Sequence, residues 1–138
     1  MKVCRRETFN SAHRLYRPEW DDEKNFEVFG KCSHPNYHGH NYVLDVCIDG
    51  PIDPITGFVI DLKLVKDIVR EHVTDRFDHR NLNIDCEEFE GIVPTAENIA
   101  KVIWDILNEK LSESLTDKFK LEIHLHETEN NRVIYSGE

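Results

Sequence analysis

No apolar run in these 138 residues is longer than a few positions, whereas a helix crossing a bilayer needs about 20. The opening residues MKVCRRETFN also lack the apolar segment of a secretory signal, so a cytoplasmic protein is expected. Positive charge is scarce, with 17 Lys plus Arg against 27 Asp plus Glu and a formal charge of -10. Such a surface repels phosphate backbones and anionic lipid, which argues against nucleic-acid or membrane partners. An anionic small molecule stays admissible, because a metal or a few cations in a local pocket outweigh a remote field within a Debye length. Cysteine is sparse and irregularly spaced: Cys4, Cys32, Cys47 and Cys86 are read as thiols, three of them inert packing residues. Repeats, low-complexity tracts and Gly/Ser-rich linkers are missing, which leaves a single domain over residues 1–138.

Residues 2–10 and 40–48 are rich in β-branched and aromatic types with partial alternation, and the second runs into the turn signal Asp49-Gly50-Pro51. Both are predicted strands. Asp61 is a suitable N-cap for an amphipathic helix carrying Leu62, Val65, Ile68, Val69 and Val73 and ending near Phe77. A polar and acidic loop is expected from Asp78 to Val93. Thr95 then caps a second helix, with Ile99, Val102, Ile103, Ile106, Leu107 and Leu111 on its apolar face and its end around Leu115. Lys118 to His126 returns to a period of two, turns at Glu129-Asn130-Asn131 and closes with Val133-Ile134-Tyr135, the pattern of a hairpin. The order strand, strand, helix, helix, strand, strand predicts an α+β fold: a four-stranded antiparallel sheet with both helices on one face. Its edges would be open in a monomer, so association through edge strands is expected.

Among eight histidines, the arrangement His38-Gly39-His40 at the mouth of a strand matters most. Residues i and i+2 of a strand share a face, so both imidazoles reach one ion, and Gly39 admits close approach of the backbone. His13, after the first strand, is a third candidate. Three neutral imidazoles with an open fourth position suit a catalytic zinc site; the competing readings are strand-end histidines satisfied by carbonyls or water, and a ligand set that uses Cys32 or His34. His124 and His126 share a face too, but read as solvent- or subunit-facing polar residues. Glu127 falls on the apolar phase of the last strands, where a carboxylate is costly unless paired or used to bind something.

Asp78-His79 can orient an imidazole that moves protons near neutral pH, or can serve only the loop. Cys32 follows Gly30-Lys31, and a thiol near a lysine, a histidine and a metal would be shifted toward thiolate; otherwise it is a small buried apolar side chain.

Taken together, Phe9-Asn10-Ser11-Ala12-His13-Arg14-Leu15, Gly30-Lys31-Cys32 followed after five residues by His38-Gly39-His40-Asn41-Tyr42, Ile52-Asp53-Pro54 with Thr56-Gly57, Asp78-His79-Arg80-Asn81-Leu82, Thr95-Ala96-Glu97-Asn98 and Glu127-Thr128-Glu129-Asn130-Asn131 closely resemble the 6-pyruvoyl tetrahydropterin synthase family. The resemblance runs over nearly the whole chain and rests on several blocks in order. It implies the tunnelling fold, assembled by edge pairing into trimeric barrels stacked as a homohexamer. It implies Zn2+ on His13, His38 and His40, proton transfer by Cys32, Asp78 and His79, and Glu127 as anchor for the 2-amino-4-oxo edge of a pterin, with Thr95 and Glu97 lining the pocket. Ala96 stands where mammalian-type members carry a second Thr, so one hydroxyl contact is missing.

The activity so implied is that of a triphosphate-eliminating lyase. It takes 7,8-dihydroneopterin triphosphate to 6-pyruvoyl tetrahydropterin for tetrahydrobiopterin biosynthesis, without an external redox cofactor. The sister activity, 6-carboxy-5,6,7,8-tetrahydropterin synthase of queuosine biosynthesis, uses the same substrate and releases acetaldehyde. Many bacterial members of that type have three residues between the cysteine and His-Gly-His; the five here favour the pyruvoyl product. A non-catalytic pterin-binding homolog would be expected to lack Cys32, Asp78 or His79, and a zinc hydrolase would need a carboxylate base that the metal-bearing strand does not offer. Arg14, Lys24 and Lys31 are candidates for the phosphates by their proximity to these blocks.

Overall fold

A computed structural model describes residues 1–115 and 118–138. Strand β1 (Lys2–His13) runs antiparallel to β2 (His38–Asp49), β4 (Lys120–His126) lies on the far side of β2, and β5 (Arg132–Tyr135) closes the terminal hairpin against β4. Apolar residues at every second position of β2 and β4, among them Leu44, Val46, Ile48, Leu121, Ile123 and Leu125, are buried in one core. Period-two burial on one face is what a half-covered sheet requires.

The core is covered by α2 (Leu62–Val69) and α4 (Ala96–Ser114). Asp61 caps the first by accepting the Lys63 amide (2.9 Å), and Thr95 caps the second by accepting that of Asn98 (3.3 Å), as their positions before the apolar periods predicted. Helix α2 continues through a π turn at Arg70–Thr74 into a last turn, α3 (Asp75–Phe77), so the helical stretch does end at Phe77. Most of the predicted stripes are buried, Val65, Ile68, Val69 and Val73 on the first and Ile99, Ile103, Leu107 and Leu111 on the second, with Val102 and Ile106 partly buried against the core; Leu62, in the first turn of α2, is instead exposed. Tyr42, Phe9 and Phe77 join them, Phe9 stacking on Tyr42 with ring centroids 5.0 Å apart.

Three features correct the sequence-based expectation. The sheet has five strands and is mixed, in the order β3-β1-β2-β4-β5. The extra strand β3 (Arg80–Asn81) lies inside the expected loop, parallel to β1 at Ser11 and Ala12; a two-residue strand has no period to read. A third helix, α1 (Asp22–Phe29), precedes β2. It has no apolar stripe, since Phe26 and Val28 face solvent and its one buried residue is Asn25. The Asn25 side chain accepts the Arg17 amide (2.8 Å) and donates to the Arg17 carbonyl (3.1 Å), so a polar hub holds this helix in place. Finally, Cys4 and Cys47 form a disulfide. They stand opposite each other in the β1–β2 register, their Cα atoms 4.0 Å apart, which replaces the reading of four thiols; Cys32 and Cys86 are free. Burial pushes the Cys86 thiol pKa up, in keeping with a packing role.

The sheet face opposite the helices is polar. Arg6 holds Asp45 through two hydrogen bonds of 2.7 and 2.8 Å, and Lys2 pairs with Glu122 at 3.0 Å. No helix among the described residues is long and apolar enough to cross a membrane.

Candidate metal and substrate site

The β1–β2 register sets His13 opposite His38 and Ser11 opposite His40. All three histidines fall on the core side at the end of the strand pair, where the helices no longer cover the sheet. Their rings lie 4.6, 5.1 and 5.0 Å apart between centroids, and one ligand atom from each lies within 4.8 Å of the others. His13 Nδ1 donates to the Pro94 carbonyl at 2.8 Å, which fixes the tautomer and leaves the Nε2 lone pair free. Burial first, then the two neighbouring imidazoles, lowers the His13 pKa to about 4; burial and His40 lower that of His38. Both are therefore neutral, the form that ligates metal.

The Nε2 atoms of His13, His38 and His40 are buried with no hydrogen-bond partner among the described residues. Three orphaned acceptors aimed at one point are expensive unless something binds there. Donor type, number and convergence fit a zinc ion with an open coordination position. The alternative ligands do not converge: Cys32 and His34 lie outside this group, and the His34 ring accepts the Asn36 amide instead (3.3 Å).

Glu127 flanks the cluster. Its Oε2 lies 3.9 Å from His13 Nε2 and its Oε1 4.0 Å from His40 Nε2, yet it is outside the group of mutually close ligand atoms. It follows β4 on the core phase, as the alternation predicted. Its backbone is held by the hairpin turn, where the Thr128 hydroxyl accepts the Asn130 and Asn131 amides (3.2 Å each) and the Glu127 amide donates to the Asn131 carbonyl (3.3 Å). A cavity of about 380 Å³ brings Glu127 together with Thr95, Glu97, Leu15 and Arg132. Leu15 belongs to the first of the sequence blocks and Arg132 to none, and neither was foreseen as a lining residue.

Tyr42 forms the floor beneath the imidazoles, its ring 5.6 Å from that of His40. Burial, then the carboxylate of Glu127 and the thiol group of Cys32, raise its pKa, so the hydroxyl stays protonated. Cys32 sits on the short turn Gly30–Ser33, half-buried and free, and its carbonyl accepts the Leu15 amide (2.9 Å), tying it to the segment that leaves His13. Asn83 clamps that segment from the other side, accepting the Arg14 amide (2.8 Å) and donating to the Arg14 carbonyl (2.9 Å).

Asp78 and His79 do pair: His79 Nδ1 donates to Asp78 Oδ2 at 2.7 Å. Asp78 Oδ1 accepts the Asn10 amide at 2.7 Å, and this bond, with His79, holds its carboxyl below the usual range. The Ser11 hydroxyl donates to the Phe77 carbonyl (2.6 Å), which fixes the end of the helix beside β1. His79 adopts a φ of +58° and its side chain is 82% exposed. The pair thus stands on the β3 edge at the level of Asn10, three residues and about 10 Å along β1 from His13. It is preorganised but directed outward, away from the cavity of Glu127.

Two further sequence candidates lie elsewhere. His124 and His126 are on the polar face, the first 2.9 Å from Glu122, the second 3.5 Å from Asp45. Lys24 stacks over Trp20, 4.4 Å from the ring centre.

The chain as a whole is similar to known proteins. A family model described as 6-pyruvoyl tetrahydropterin synthase matches residues 2–138. The 6-pyruvoyl tetrahydrobiopterin synthase of Dictyostelium discoideum is 46% identical over 99% of this chain and 96% of its own. The solved structure of Caenorhabditis elegans 6-pyruvoyl tetrahydropterin synthase superposes with a TM-score of 0.90 at 37% identity, over 100% of this chain and 96% of that one. A 6-carboxy-5,6,7,8-tetrahydropterin synthase from Rickettsia bellii is more distant, 30% identical over 94% of this chain and 96% of its own. With a family model matched over residues 2–138 and a relative 46% identical over nearly the full length of both chains, the chain belongs to the 6-pyruvoyl tetrahydropterin synthase family.

Proposed function

We infer that this chain converts 7,8-dihydroneopterin triphosphate to 6-pyruvoyl tetrahydropterin with loss of triphosphate. The observation that carries the reading is the placement of Glu127 within 4.0 Å of two of three converging, unpartnered imidazoles, in a cavity shared with Thr95 and Glu97. A carboxylate there can accept two parallel hydrogen bonds from the amino group and ring N–H of a pterin, which fixes the ring and sets its side chain against the histidines. His13, His38 and His40 would hold Zn2+, which when bound supplies Lewis acidity toward the side-chain oxygens.

The remaining chemistry is proton transfer at carbon. The two hydroxyl-bearing carbons of the side chain each lose a proton: the electron pair released at C1′ reduces the ring C6=N5 bond as C1′ becomes a carbonyl, and the pair released at C2′ expels triphosphate from C3′, leaving an enol that tautomerises to a C2′ carbonyl with C3′ a methyl group. Electrons are conserved within the substrate, so no external redox cofactor enters. Cys32, half-buried on the turn that precedes β2, is the proposed base on one face. His79, with Asp78 bonded to its Nδ1, is the second proton carrier. Because that pair faces outward from the β3 edge, it serves a site only where subunits meet. Assembly through the open edges, as a homohexamer of two trimers, is therefore part of this proposal; light scattering at micromolar concentration should report a hexamer, and a monomer would remove it.

The reaction itself is tested by incubating the zinc-loaded protein with the triphosphate under anaerobic conditions and identifying the pterin by mass, with Cys32→Ala alongside. A 6-pyruvoyl product that is lost in the variant is expected. A 6-carboxy product with acetaldehyde would move the chain to the sister activity, and unchanged substrate would contradict both.

A further inference from the structure

Eight arginine and lysine side chains among the described residues of this acidic chain pair with carboxylates: Lys2, Arg5, Arg6, Arg17, Lys66, Arg70, Arg76 and Lys110. Arg14 and Lys31 do not. Among the described residues, Lys31 Nζ has no ion pair or hydrogen bond, and the only side-chain hydrogen bond of Arg14 runs from Nε to the Ser33 carbonyl, at 2.8 Å. The guanidinium sits over Tyr16, its Cζ 3.8 Å from the ring centre, and the Arg14 backbone is clamped by Asn83. It is thus held in one orientation with both terminal nitrogens free, the state in which a planar guanidinium binds phosphate best.

Arg14 and Lys31 line one cavity of about 520 Å³ with His34, Tyr37, Asp22 and His38. His38 belongs to the imidazole cluster, and among the three it is the one that Glu127 does not approach within 4.0 Å. The cluster is thus bordered by an acidic cavity on the Glu127 side and by a cavity with two unpaired cations on the His38 side. A ligand with a donor-bearing ring at one end and a polyanion at the other matches this polarity lengthwise.

We propose that Arg14 and Lys31, assisted by His34, form the subsite that holds the triphosphate end of the substrate on the His38 side of the imidazole cluster. The proposal rests on the pterin triphosphate reading given above and assigns positions to the charged end that the reading leaves open. It excludes Lys24, which stacks on Trp20 and does not line the cavity, and it assigns no phosphate to Arg132, which lies on the Glu127 side. Asp22 is the one carboxylate on the cavity wall, so it opposes the polyanion.

The test measures binding of two non-reacting probes to the zinc-loaded full chain by fluorescence: oxidised neopterin and oxidised neopterin triphosphate. Arg14→Ala and Lys31→Ala are each expected to weaken the triphosphate roughly tenfold or more, the size of a lost charge-assisted contact, and to flatten its salt dependence. Neopterin binding should stay within about twofold in both variants, which also reports that they are folded. Asp22→Asn should tighten the triphosphate severalfold, a gain that no folding defect can imitate. Unchanged triphosphate affinity in both alanine variants, or a loss confined to Arg132→Ala, would overturn the subsite while leaving the pterin reading intact. A parent chain that binds neither probe would overturn that reading and the subsite with it.

Discussion

Replacing His40 by alanine is expected to leave the chain folded but without zinc after dialysis against a chelator, and to lower the rate of triphosphate elimination roughly a hundred- to a thousandfold. The magnitude follows from losing one of three converging ligands, and with it the several kcal/mol a Lewis acid contributes to the transition state. His40 is the ligand to test first because it is half-buried; His13 is 1% exposed, and truncating it would also leave the Pro94 carbonyl without its donor. His124→Ala is the matched comparison. His124 belongs to an identical His-x-His spacing, but it pairs with Glu122 on the polar face, so zinc content and rate should be unchanged. Zinc retained by His40→Ala at the parent level, by elemental analysis, would remove the imidazole cluster as the metal site.

The second large effect is expected at Glu127. Glu127→Gln keeps the shape but replaces one acceptor oxygen by an NH2 that opposes the donors of the pterin edge, and Glu127→Ala removes both acceptors. Charge-assisted hydrogen bonds contribute about 1.5–3 kcal/mol each, so a dissociation constant raised by roughly ten- to a hundredfold or more is predicted for Gln, and a larger rise for Ala. Zinc should remain bound in both variants, because the carboxylate flanks the cluster without joining the group of mutually close ligand atoms. Titration of neopterin fluorescence together with zinc content separates the outcomes. Full affinity would take Glu127 out of the site, and loss of zinc would make it a ligand rather than an anchor.

Much of the scaffold under these residues is legible from local signals. Asp61 and Thr95 announce their helices because a capping oxygen is followed at once by an apolar period, and the same residues make the caps in the structure. His38 and His40 are legible because a strand forces i and i+2 onto one face. Glu127 stands out as a carboxylate on an apolar phase. What escapes reading depends on partners distant in sequence. Helix α1 is held by the Asn25 hub rather than by an apolar stripe; Asp21 before Asp22-Glu23, with Gly30 at the other end, is the capping signal that could have found it. Strand β3 exists because the His79 and Leu82 amides reach the Asn10 and Ala12 carbonyls, some 70 residues earlier. The Cys4–Cys47 bridge requires the β1–β2 register, which spacing alone does not supply.

The division of labour between cysteine and histidine follows the same logic. Cys32 lies within eight residues of His40 in sequence, so spacing permits a thiolate ligand. The fold separates them: β2 brings His38 and His40 to His13, while Cys32 stays on the preceding turn, tied to Leu15 and outside the ligand group. A cysteine that does not ligate metal is free to carry a proton.

That separation is the claim on which the account turns, and zinc K-edge X-ray absorption of the loaded protein measures it most directly. Three imidazole nitrogens at about 2.0–2.1 Å with no sulfur in the coordination shell are predicted. A zinc–sulfur distance of about 2.3 Å would contradict it, placing Cys32 on the metal and leaving the proton transfer assigned to it without a carrier.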